Sequence, residues 1–152
     1  MLYKEGNRLI FRYDAEEVWI EPWGDNAFRV RATKESRYPN DEEGWALQKV
    51  EPRPADIKIG GKEASITNGK IKATISNFGK IKIFNSAGKL LLEEYLRNRA
   101  DVLDPKCSAI CVEAREFNPN LGGDYHLTFR LESLDRNEKI FGMGQYQQPY
   151  LD

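Results

Sequence analysis

Apolar and polar residues alternate in short runs along most of this chain, and turn residues separate the runs. Leu9–Tyr13 is the first run. Val18–Trp23 follows, rich in β-branched and aromatic residues, and ends in Pro22-Trp23-Gly24-Asp25. In Ala27–Thr33, Phe28 and Val30 share one side while Arg29 and Arg31 share the other. A period of two is that of a strand with one face in a core. Lys34 to Pro54 is charged and holds three prolines; it reads as a long excursion with a short strand at Trp45–Val50. Ile57–Gly60 comes next and turns at Gly60-Gly61.

The alternation is clearest in the middle. Ala64–Thr67 leads into Asn68-Gly69, a pair that predicts a type I′ hairpin because both residues tolerate positive φ. In Lys70–Ser76, Ile71, Ala73 and Ile75 form a dry face, while Lys70, Lys72 and Thr74 form a wet one. Asn77-Phe78-Gly79 turns the chain into Lys80–Phe84, and Ser86-Ala87-Gly88 closes that strand. Lysines on the wet face suit solubility and edge protection. Lys89–Arg99 fits both a helical face and a strand; strand to Glu93 followed by loop is the expectation. Ser108–Phe117 and Tyr125–Leu134 read as long strands, and Lys139–Phe141 as a last short one. About ten short strands with few or no helices predict an all-β antiparallel sandwich.

Composition narrows the function more than it widens it. A chain of 152 residues is one ordinary domain. The 23 basic residues against 24 acidic ones lack the basic excess of a nucleic-acid or membrane-surface binder. No apolar run approaches the ~20 residues of a membrane span, and the first residues carry no apolar signal core. Cys107 and Cys111, placed on one strand, would lie roughly 13 Å apart, too far for a disulfide. Without a second Cys/His pair they cannot form a four-ligand zinc site. They are expected to be buried, reduced thiols in a cytoplasmic protein.

Candidate chemistry is sparse. Gly142-Met143-Gly144 starts a dinucleotide fingerprint, but Gln147 stands where its third glycine belongs. His126 shares a face with Thr128, opposite Tyr125, Leu127 and Phe129, and is expected at a wet rim. Glu42-Glu43 and Glu93-Glu94 are adjacent pairs. Adjacent strand residues point to opposite faces, so neither pair can flank a sugar as glycoside hydrolysis requires; both are expected to be solvated. The last octet contains Gln145, Tyr146, Gln147 and Gln148. Rings stack on sugar faces and amides reach hydroxyls, so this segment suits substrate contact; an exposed tail is the competing reading. Trp19, Trp23 and Trp45 could form the stacking platform of an independent carbohydrate-binding module. A free-standing sugar mutarotase would need more than His126.

Glu138-Lys139-Ile140-Phe141-Gly142-Met143-Gly144-Gln145 resembles the E-x-x-[YF]-G-x-G-E segment of glycoside hydrolase family 31. Asn26-Ala27-Phe28-Arg29-Val30-Arg31 looks like that family's early N-x-x-R-[VI]-R strand. The Asn68-Gly69 hairpin, the Phe78-Gly79 turn and Gly88–Glu94 fall in the same order between them. Order and spacing carry the resemblance, over nearly the whole chain. Gln145 departs from the pattern, where many members carry Glu, and Gln145-Tyr146-Gln147-Gln148 looks more like a bacterial, α-xylosidase-like subgroup.

The resemblance implies a galactose-mutarotase-like sandwich, or supersandwich, at the N-terminus of an α-glucosidase or α-xylosidase. Residues 1–152 would be one domain, followed by a (β/α)₈ barrel that carries the two catalytic Asp residues. This chain would then hold no catalytic residue, metal or cofactor. Its partners would be the barrel and the oligosaccharide substrate, with Gln145–Gln148 near the pocket entrance. Its apolar barrel-facing surface would favour self-association when the segment is alone.

Overall fold

The computed structural model describes residues 1–35, 50–51, 53–133, 135 and 137–139. Its described elements are all strands. The first sheet is a four-stranded meander of β1 (Leu2–Glu5), β2 (Arg8–Tyr13), β3 (Glu16–Pro22) and β4 (Phe28–Thr33). The second contains β5 (Asp56–Ile59), β6 (Glu63–Asn68), β7 (Ile71–Ser76), β8 (Ile81–Asn85), β9 (Leu90–Glu94) and β12 (Leu131–Glu132), in the order β12-β9-β8-β7-β6-β5. β10 (Arg115–Pro119) and β11 (Tyr125–Phe129) form a two-stranded sheet of their own. Every pairing is antiparallel.

The two larger sheets face each other across one core. Leu9, Phe11, Val18 and Ile20 from the first sheet meet Ala64, Ile66, Ala73, Ile75 and Ile81 from the second. These are the alternating apolar positions, and burying each large aliphatic or aromatic side chain contributes roughly 1.5–3 kcal/mol. Register sets large against small: Ala64 pairs with Ile75, and Ile66 with Ala73. That alternation fills the layer without overpacking it. This is the all-β sandwich the alternation predicts.

Side chains tie the sandwich together at both ends. At one end the ties are neutral amides. Asn68 is buried and its Nδ2 donates to the carbonyls of Gly24 (2.9 Å) and Ala27 (2.8 Å) in the β3–β4 turn. Asn26 Oδ1 accepts from the Lys70 amide at 2.6 Å, and Asn7 Oδ1 from the Ala55 amide at 2.8 Å. At the opposite end the tie is ionic and centres on Arg115, described below.

Several expectations change. Asn68 pairs with Ile71, so the turn residues are Gly69 and Lys70 rather than Asn68 and Gly69. Gly69 has φ +60° and Lys70 does not have positive φ, the pattern of a II′ turn. Asn68 is drawn into the strand because its amide is needed between the sheets. β1, which the sequence reading passes over, forms a hairpin with β2 around Gly6, whose φ is +56°. Of Ser108–Phe117 only the last three residues, from Arg115, are strand, and that strand runs on to Pro119. Upstream lie turns, in which the Asp104 amide bonds to the Asp101 carbonyl and the Cys107 amide to the Asp104 carbonyl, and one bridge joins Val112 to Arg97. Tyr125–Leu134 is broken at Arg130, where the chain leaves β10 and joins β9. Of the expected strand at Trp45–Val50 only Val50, and of Lys139–Phe141 only Lys139, is among the described residues, and neither is in a strand.

Candidate functional site

The pair Glu93-Glu94 explains most of the electrostatics. The register slips between Ile83 and Phe84: Ile83 pairs with Leu92 and Phe84 with Leu90, leaving Leu91 as the extra residue. Glu93 then points to the outer face of the six-stranded sheet and Glu94 to the inner one. The opposite orientation expected of neighbours holds, but the expected solvation does not. Glu93 is 4% exposed and Glu94 1%. Cations supplied by distant segments replace the water.

On the inner side Arg115 serves three partners. Its guanidinium pairs with Glu94 and with Glu16 at the start of β3, and Nη2 donates to the Gly79 carbonyl at 2.9 Å. The other Glu94 oxygen accepts from the Ile81 amide at 2.8 Å. Burial raises the Glu94 carboxyl above its ordinary 4.5, while Arg115 and the Ile81 amide pull it down. The net direction is upward. A carboxylate and guanidinium so enclosed have their hydrogen-bonding capacity spent on each other and on backbone. They hold four segments of the fold in place.

The outer node is larger. Lys80 is buried on the face expected to be wet. Its Nζ lies 3.1 Å from Glu93 and 3.1 Å from Asp104. Lys106 pairs with Glu93 and, at 2.9 Å, with Glu132; Arg97 reaches Glu132 at 2.9 Å. Thr74, also assigned to the wet face, is buried too. The node fastens the loop carrying Asp104 and Lys106 to the sheet.

This arrangement has a pH signature. Burial alone would raise the Asp104 carboxyl, but the Lys106 amide and Lys80 outweigh it, and the result lies below 3.8. Burial likewise acts upward on Glu132, while Arg97 and Lys106 bring it below 4.5. Both folded values sit under the unfolded ones. The stabilisation is therefore complete above about 4.5 and is lost as pH falls through the depressed folded values. The urea-unfolding free energy is expected to fall between pH 5 and pH 2, and to fall less in Asp104→Asn/Glu132→Gln. Equal pH slopes for the two proteins would refute this assignment.

Other expected features fall in different places. Cys107 and Cys111 are free as expected but exposed rather than buried, because they sit on loop backbone and not on a core strand. His126 is exposed and pairs across β10–β11 with Asn118, on the wet side as expected. Trp19 has the Arg8 guanidinium 4.0 Å and the Arg31 guanidinium 4.9 Å from its ring centre, and its Nε1 donates to Glu17 at 2.6 Å. Arg29 lies 5.0 Å from the Trp23 ring centre. These rings interact with the protein's own cations. Trp45, Glu42, Glu43 and the entrance candidates Gln145, Tyr146, Gln147 and Gln148 lie outside the described residues. Among the described residues no group of three or more His, Cys, Asp or Glu is placed to hold a metal ion.

Several of the described residues behind the family resemblance sit at the structural ties. Asn26, Asn68 and Gly69 occupy the amide end; Gly79 and Glu94 occupy the charged end. Sequence reasoning missed Lys80 and Arg115, whose signal was only that each cation interrupts or flanks an apolar run.

Known proteins carry the same pattern. No family model matches the chain. An uncharacterized family 31 glucosidase, ORF2, from Pseudescherichia vulneris is 37% identical over 159 aligned residues, covering 99% of this chain and 30% of that protein. The crystal structure of a GH31 α-xylosidase from a soil metagenome, complexed with xylose, superposes with a TM-score of 0.87 at 37% identity. It covers 100% of this chain and 23% of its own. This chain therefore spans less than a third of the length of either relative. Sequence and sandwich agree from end to end, and the chain matches, along its whole length, one segment of these glycoside hydrolase family 31 proteins.

Proposed function

We propose that this chain is the non-catalytic N-terminal β-sandwich domain of a longer retaining α-glycosidase acting on α-glucosides or α-xylosides. The (β/α)₈ barrel that follows position 152 carries the chemistry, and this domain buttresses it and shapes the pocket entrance. The observation behind the reading is the coverage: 37% identity runs through 99% of this chain yet takes up only 30% of the related glucosidase. The ionic nodes agree with it. Glu93, Glu94, Asp104 and Glu132 are committed to structural cations, which leaves them unsuited to general acid or nucleophile work. Gln145, Tyr146, Gln147 and Gln148 remain the proposed entrance segment, and the cytoplasm the proposed compartment.

The test compares two proteins on p-nitrophenyl α-D-xyloside and α-D-glucoside. The 152-residue chain is expected to give no turnover above buffer. The complete gene product is expected to hydrolyse at least one of them, with the α-anomer appearing first by NMR. Hydrolysis by the short chain, or none by the complete product, overturns the reading. Acceleration of glucose mutarotation by the short chain would move it to the sugar-epimerising enzymes instead. Firm oligosaccharide binding by the short chain alone would move it to the binding modules.

A further inference from the structure

The β10–β11 hairpin differs from the rest of the fold. Its strands belong to neither large sheet. Its base is held firmly: Arg115 is locked into the inner ionic node, the Arg130 amide bonds to the Ala114 carbonyl at 2.8 Å, and the Tyr95 amide to the Arg130 carbonyl at 3.0 Å; further out, Lys34 Nζ lies 5.5 Å from the Phe117 ring centre. Beyond the base the hairpin projects as an arm, and Leu121 near its tip is fully exposed. A two-stranded ribbon with no third layer is marginal in water.

The two faces of the arm have different chemistry. Register puts Phe117 opposite Leu127, Pro119 opposite Tyr125 and Arg115 opposite Phe129, so these six share one face. The other face carries Glu116, Asn118, His126 and Thr128. On the apolar face the Phe117 and Tyr125 rings meet edge-on, with centroids 6.0 Å apart. Tyr125, Leu127 and Phe129, with Leu131 next along the chain, are between 39% and 46% exposed. Tyr, Leu and Phe in a row on one side of a projecting ribbon form a sticky strip, while the polar side behaves as ordinary surface.

The geometry points to the apolar face of this hairpin as a docking surface for the polypeptide that follows position 152 in the longer chain. The inference rests on the proposed function, which supplies that polypeptide. The relatives extend far beyond the matched segment, since this chain covers 30% of one and 23% of the other. β11 and β12 also lie late in the sequence, so a following segment would be tethered close by. Tethering makes docking intramolecular, at an effective concentration far above that of any free partner. A free apolar partner or a second copy has no such advantage.

Hydroxyl-radical footprinting of the complete gene product tests this. After correction for intrinsic reactivity, Tyr125, Leu127 and Phe129 are expected to be labelled at least tenfold less than Tyr13 and Leu103, which are 69% and 72% exposed here. In Leu127→Ser/Phe129→Ser, labelling of Tyr125 is expected to rise towards that of Tyr13. In Asn118→Ser/His126→Ser, on the polar face, it is expected to stay low. Labelling of the wild-type apolar face on a par with Tyr13 overturns the inference, and so does a protection that survives Leu127→Ser/Phe129→Ser. The wild-type measurement stands even if the variant fails to fold. Protection that appears only with rising protein concentration would assign the face to a second copy and also overturn it. Hydrolysis of the α-glycosides by the same sample separates the two claims. An active enzyme with a labelled arm refutes the docking alone, and an inactive one with a protected arm refutes the activity alone.

Discussion

Replacing Arg115 by methionine is expected to destabilise the domain by about 3–5 kcal/mol, the usual cost of leaving one member of a buried ion pair without its partner. Glu94 would remain 1% exposed with only the Ile81 amide as donor, and the Gly79 carbonyl would lose its guanidinium. Urea unfolding at neutral pH measures the loss. Its dependence on pH identifies the cause. The folded-state pKa of Glu94 already lies above 4.5 through burial, and removing Arg115 raises it further. A raised carboxyl contributes stability that is fully present below the unfolded value and is lost as pH rises through the folded one. The deficit of Arg115→Met relative to wild type should therefore be small near pH 4 and full at pH 7. Adding Glu94→Leu should recover much of it, because an apolar replacement removes the stranded charge. A deficit that does not change with pH, or no recovery in the double variant, would mean that the loss is packing around the Arg115 stem.

The second large effect is expected at Gly79, where the same end of the sandwich is closed by backbone. Its φ is +81°, and a Cβ there would stand 2.8 Å from Phe11 Cε1, 2.9 Å from Phe11 Cζ and 3.1 Å from Arg115 Nη2. Phe11 is 3% exposed and has no room to retreat. Gly79→Ala combines left-handed backbone strain of roughly 1–2 kcal/mol with overpacking of roughly 1–3 kcal/mol. A loss of about 3 kcal/mol in the unfolding free energy is expected. Gly88→Ala is the control. Its φ is +76°, but nothing lies within 4 Å of the added methyl, so only the backbone part, about 1 kcal/mol, should appear. Equal losses at the two positions would show that the contact with Phe11 carries nothing.

These two positions also mark where sequence reading succeeds and where it stops. The strands from β2 to β9 were legible because most turn alternate residues towards one core, and that writes a period of two into neighbouring residues. The turn at Gly79 was legible for a similar local reason. Arg115 was not, since its partner Glu16 lies 99 residues away and neither residue changes the local pattern around it. Glu93 and Glu94 read as solvated for the same reason, because the residues that bury them arrive from β8, β10 and the loop at Asp104. The extra Leu91 cannot be seen without its partner strand. Of the candidate site, the family-like segments were legible as punctuation: glycines and asparagines recurring at fixed order. What they do, holding two sheets together, needed the second sheet.

The amide ties and the ionic node sit at opposite ends of the same two layers. Layers fixed at one end alone can still pivot and slide over a greasy interface, since apolar packing has little directional preference. Pinning both ends removes that shear mode. The sandwich should deform as one stiff plate, so a force applied to its four-stranded side reaches the six-stranded side without being absorbed between them.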